Sequence, residues 1–102
     1  MPLLWWSSES SRDIPPWAYY YLVTRLGVPH EVLTGLKCFE HRDFMDGMLT
    51  NFIRIYHPEE ARRAGIDDFI SLDRFPELIL WEGWYNQETG EIFLEEKAGR
   101  KL

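Results

Sequence analysis

The sequence has a single cysteine, Cys38, so no intramolecular disulfide can form. It has no basic excess: eleven Lys and Arg stand against seventeen Asp and Glu, a formal net charge of −6. Phosphate neutralisation needs a basic face, so nucleic acid is not an expected partner. An anionic membrane surface is disfavoured for the same reason. The longest apolar run, WAYYYLV from Trp17, is far too short to cross a bilayer. The opening residues, MPLLWWSSESS, lack the basic and apolar regions of a signal peptide. A reducing, cytoplasmic location is therefore expected. A P-loop, a nucleophile elbow, a zinc signature and a paired-carboxylate motif are all missing. The chain names no reaction, no cofactor is implied, and a non-catalytic role is the preferred reading.

Aromatic residues are what the chain has in excess. Six Phe, five Tyr and five Trp lie within 102 residues, and hydrophobic residues make up 45%. That is ample for one core in one domain. A small domain has much surface for its volume, so burying every ring is difficult. The charge is uneven too: the acidic surplus lies in residues 66–102. Acidity of this kind mainly favours solubility.

Residues 1–13 read as an apolar arm, Leu3 to Trp6, followed by a polar linker. Residues 14–97 read as one α+β domain, and 98–102 as a frayed tail. A helix is predicted over 16–26, with Pro16 at its first position and Gly27 just past its end. Tyr19, Leu22, Val23 and Leu26 follow i, i+3, i+4, i+7 and form the expected core stripe. Trp17, Tyr20, Tyr21 and Thr24 repeat the spacing on the opposite side. One sheet covers only one of these faces, which leaves the other for the arm, another element or a second chain. Residues 29–35 allow a further helical turn closed by Gly35.

Asp46-Gly47 between two β-rich runs is a strong two-residue hairpin signal. It pairs Met45 with Met48 and sets the register outward from there. Phe44 then faces Leu49, Arg42 faces Asn51, Glu40 faces Ile53, and Cys38 faces Ile55. This more aliphatic set is expected to point inward. The alternate set, including Phe39, His41, Phe52, Arg54 and Tyr56, falls on the other face. A short helix follows over 58–65, with Pro58 first, Glu59 and Glu60 early, Arg62 and Arg63 late, and Gly65 as the stop. A second hairpin, PELILWEGWY-NQETG-EIFLEEK, completes the chain. The order implies an antiparallel sheet of about four strands in two hairpins, an N-terminal helix packed on one face, and a short connecting helix.

Two readings of function follow. The first is a protein-interaction module that associates with itself or a protein partner through Trp5, Trp6, Trp17, Tyr20 and Tyr21. Tyr, Trp and Arg are enriched where proteins meet. The second is a small-molecule pocket around Glu40, Arg42, Asn51 and Glu82. Charges on an aliphatic face must be paired, by one another or by a ligand. The string Glu40-His41-Arg42-Asp43 contains the HRD of kinase catalytic loops, but Met48 stands where the loop needs asparagine. His30, His41 and His57 have no metal-ligand spacing, so no metal is expected. In the second hairpin, Ile79, Trp81, Gly83 and Tyr85 alternate with Leu78, Leu80, Glu82 and Trp84. Both sets are largely apolar, and Gly83 leaves a gap that a neighbouring side chain or a ligand must fill.

Overall fold

The structure is a computed structural model and describes residues 11–97. The chain runs α1 (Pro16–Thr24), α2 (His30–Leu33), β1 (Lys37–Met45), β2 (Met48–Tyr56), α3 (Pro58–Ala64), β3 (Ile79–Asn86) and β4 (Ile92–Glu96). Two 3-10 turns, Ile70–Arg74 and Pro76–Leu78, lead from α3 into β3. The fold is α+β, with one antiparallel sheet in the order β1-β2-β3-β4.

The first hairpin has the register its turn dictates. Met45 pairs with Met48, Arg42 with Asn51, Glu40 with Ile53 and Cys38 with Ile55. Asp46 and Gly47 both take positive φ, 55° and 79°, as a turn matched to the right-handed strand twist requires. α3 also forms where its charges and dipole agree. It ends at Gly65 in the left-handed region, where the N–H groups of Gly65 and Ile66 bond back to Arg62 and Ala61.

The sheet is covered on both faces, by two separate cores. One face carries Cys38, Ile53, Ile55, Trp81 and Leu94, packed against Ala18 and Leu22 of α1 and against Leu33 and Leu36. This is the aliphatic face expected to point inward. The opposite face carries Phe39, Tyr56 and Ile79, covered by Ala61 of α3 and by Ile66, Phe69 and Leu72 beyond it. α1 and α3 therefore lie on opposite sides of the sheet.

Two expectations change. The inward line of α1 is Ala18 and Leu22, flanked by Trp17 and Tyr21. Tyr19 and Leu26 of the expected stripe are exposed, and Tyr20 is 71% exposed. A helix with apolar residues on two sides does not fix its own rotation, and the sheet selects the side with the smallest residue, Ala18. In β3, Ile55 pairs with Trp81 but Tyr56 pairs with Ile79, so Leu80 is an extra residue in a β-bulge. The bulge sends Ile79 to the α3 face while Trp81 stays beneath α1.

Gly83 has no ligand-sized gap beside it. A Cβ there would stand 1.9 Å from the Phe93 carbonyl oxygen and 2.7 Å from Leu94 Cα. β4 runs against the bare backbone of Gly83, and Leu94 takes the space between Trp81 and Tyr85.

Candidate functional site

The polar residues proposed for a ligand pocket are not brought together. Glu40 turns to Arg12, whose Nη1 donates to its carboxylate at 3.3 Å, rather than to its strand neighbour Arg42. Arg42 is exposed on the outer strand. Asn51 accepts from Gln87 Nε2 at 2.9 Å across the second turn. Glu82 lies on the opposite face, 3.4 Å from Lys97 Nζ. Each of Glu40, Asn51 and Glu82 thus has a partner within the chain. Among the described residues no group of three His, Cys, Asp or Glu could hold a metal ion. No helix among them is long and apolar enough to cross a membrane.

The aromatic set also divides. Trp17 stacks on Tyr85 at 5.4 Å between ring centroids, and Tyr21 packs against the core with Arg25 over its ring. Only Tyr20 of the α1 candidates projects freely. Trp5 and Trp6 lie outside the described residues. On β3 the two tryptophans part company: Trp81 is 1% exposed beneath α1, while Trp84 is half-buried on the other face, tilted against Phe93 at 5.9 Å.

Arg54 is the main charge held against the second core. Its guanidinium lies 4.2 Å from the centre of the Phe69 ring, donates to the Phe69 carbonyl at 2.8 Å and meets Asp73 at 2.8 Å. The ring beneath Arg54 therefore comes from the 66–75 segment, not from the neighbouring strand. Delocalised and weakly hydrated, a guanidinium tolerates this site better than an ammonium would. Cys38 is buried, and burial pushes its thiol up from 9.0 to about 12, with the Glu40 carboxylate adding to the effect. Such a thiol stays protonated and is no nucleophile.

An apolar groove among the described residues was not marked out by the sequence. It is a groove of about 580 Å³ between the loop after α1 and the edge strand β4. Leu26, Val28 and Val32 form one wall, Leu94 the other, and Trp81 lies at its base. Helical spacing predicts Leu26 in the core. It is 41% exposed because α1 ends at Thr24, before Leu26 can turn under the helix. The useful signal was the cluster Leu26, Val28 and Val32 around Gly27 and Pro29, apolar residues on a turn.

Beside the groove, β4 forms one edge of the sheet. The Glu91 carbonyl accepts from Asn86 and the Lys97 N–H donates to Leu80, so odd-numbered residues of this segment bond inward. Ile92 and Leu94 consequently turn their backbone N–H and C=O groups away from β3. No strand among the described residues pairs with that edge. No protein-family model, curated protein or solved structure matches the chain.

Proposed function

We propose that this chain is a protein-interaction module that associates with a second copy of itself through the β4 edge and the adjoining groove. The observation that carries this reading is the coincidence of the two features. An outward-turned row of backbone groups borders an apolar groove lined by Leu26, Val28, Val32 and Leu94. An open edge is a template for another strand, and an apolar groove beside it supplies side-chain burial.

The β4 sequence suits a two-fold axis. With Leu94 facing Leu94 in an antiparallel pair, Ile92 faces Glu96 and Phe93 faces Glu95. No carboxylate then opposes a carboxylate, which matters for a chain of net charge −6. The partner's Ile92 comes to the Glu96 end of the strand, where the groove opens. Joining the two sheets in this way would give eight continuous strands.

Light scattering after size exclusion, across a range of concentrations, tests this. A dimer is expected for the natural chain and a monomer for Ile92→Pro. The Ile92 N–H points away from β3, and proline is tolerated on an edge strand at such a position. Tyr20→Glu, on the outer side of α1, should leave the dimer intact. A natural chain that stays monomeric at all concentrations overturns the reading. So does a dimer that Tyr20→Glu dissociates and Ile92→Pro does not, which would move the contact to α1.

A further inference from the structure

The α3 face of the sheet keeps a small opening towards β4. Because β2, β3 and β4 are in register, side chains stand there in rows. Phe52, Trp84 and Phe93 form one row, and Arg54, Glu82 and Glu95 form the next. Phe69 arrives from the 66–75 segment. Four rings and two carboxylates, Phe52, Phe69, Trp84, Phe93, Glu82 and Glu95, line a cavity of about 160 Å³. That is below the roughly 300–1,000 Å³ of pockets that enclose drug-sized molecules, so there is room for a head group only. Glu82 stands directly opposite Glu95. Like charges in that position repel, and a cation beside them relieves the repulsion. Lys97 Nζ lies 3.4 Å from Glu82 and 4.0 Å from Glu95. Arg54 is engaged with the Phe69 carbonyl and Asp73. Among the described residues, two cations, Arg54 and Lys97, thus meet three carboxylates, Glu82, Glu95 and Asp73, which leaves a charge of −1.

We propose that this cavity binds an alkylated ammonium head group, its methyl groups against Trp84 and Phe93 and its charge beside the Glu82–Glu95 pair. Trp84 is half-buried and Phe93 is 40% exposed, so both rings keep surface for a ligand. The face of an aromatic ring is negative and attracts cations. Arg54 already shows this attraction, 4.2 Å from the centre of the Phe69 ring. Phe52 and Phe69 complete the apolar wall. An unmethylated ammonium is strongly hydrated and bonds carboxylates through its N–H groups, the part Lys97 plays here. A quaternary ammonium has no N–H to satisfy, and its methyl groups match a wall of rings. The site is built within one chain, on the opposite face of the sheet from the groove, and does not rest on the β4 pairing.

NMR titration of the full chain with choline chloride, against sodium chloride at equal ionic strength, tests it. Choline should shift the Trp84 indole N–H and the Phe93 amide saturably and leave the Trp81 indole, on the other face, unmoved. The uncharged carbon analogue, with a tert-butyl group in place of trimethylammonium, should bind about tenfold more weakly. Trp84→Leu, followed at the Phe93 amide, should weaken choline binding about tenfold. Glu95→Gln, at an exposed position, should weaken it about threefold. A glycine-flanked trimethyllysine peptide that binds about tenfold tighter than choline assigns the head group to a protein side chain, and equal or weaker binding assigns it to a free small molecule. The absence of a saturable shift with both choline and the peptide overturns the proposal. So does equal binding of choline and its carbon analogue, which would make the cavity a merely apolar cleft. Choline binding that neither variant weakens overturns it as well.

Discussion

Beneath α1 the sheet presents Cys38, Ile53, Ile55, Trp81 and Leu94, uncharged side chains closed over by Ala18 and Leu22. On its other side Phe39, Phe52, Tyr56 and Trp84 share the surface with His41, Arg54 and Glu82, and the cover is a short helix followed by irregular chain. The first face is closed mainly by the volume of apolar side chains. The second is closed where Phe69 lies on His41 and under Arg54, and stays partly open at Trp84 and Phe93. Apolar burial has no direction, so a helix can settle on it in more than one rotation. The Arg54 contacts with the Phe69 carbonyl and Asp73 are directional and fix where the 66–75 segment lies.

Trp81 and Trp84 carry this comparison within one strand, and replacement of Trp81 should give the largest effect among these substitutions. Trp81→Ala opens a cavity in the middle of the first core and should cost about 3–5 kcal/mol. Trp84→Ala removes a half-buried ring from a surface already open and should cost about 1–2 kcal/mol. Urea unfolding of both variants gives the two values directly. Equal losses would mean that the second face is as tightly packed as the first.

Gly83, between the two tryptophans, should come next. An alanine Cβ would strike the Phe93 carbonyl and Leu94 Cα, both backbone atoms that cannot rotate away. β4 would have to move off β3, at a cost of about 3 kcal/mol. Denaturant unfolding of Gly83→Ala should show this loss, and Gln87→Ala in the exposed turn should show almost none. A mild effect at Gly83 would mean that β4 is loosely held and that the β4 edge is a poor platform for a partner strand.

The parts legible in the sequence were those set by local chemistry. Asp46-Gly47 permits one tight turn, and every pair of the first hairpin follows from it. Pro58, the charge order of α3 and Gly65 mark that helix in the same way. The rest depended on distant neighbours. Nothing in the continuous run Leu78-Ile79-Leu80-Trp81 announces the bulge at Leu80, because an extra residue in an apolar strand changes neither composition nor turn signals. The rotation of α1 is set by what the sheet presents to it. The Arg12–Glu40 contact joins residues 28 apart, and the choice of Arg12 over Arg42 as the partner of Glu40 depends on the linker reaching β1. The surplus of rings did indicate more apolar surface than one core can take. It pointed to the rings of α1, whereas the apolar groove among the described residues is lined mainly by aliphatic side chains and lies beside β4.

The two faces can also be separated by pH. Burial raises the Cys38 thiol on the α1 face to about 12, and burial also raises the Tyr56 phenol on the other face, partly offset by its bond with Ser11. In both, the folded state holds the proton more tightly than the unfolded chain does. Their stabilising contributions are therefore fully present below the ordinary values of 9.0 and 10.0 and are lost as pH rises through the folded ones. For Cys38 the loss runs between about pH 9 and about pH 12. Thermal melts across this range should show stability declining from about pH 9. Cys38→Ala should delay the onset toward pH 10, leaving the part due to Tyr56, whereas Tyr56→Phe should leave the onset near pH 9 and reduce only the later part. If Cys38→Ala leaves the whole profile unchanged, the α1 face is open enough for the thiolate to be hydrated, and its burial is less complete than that of the opposite face.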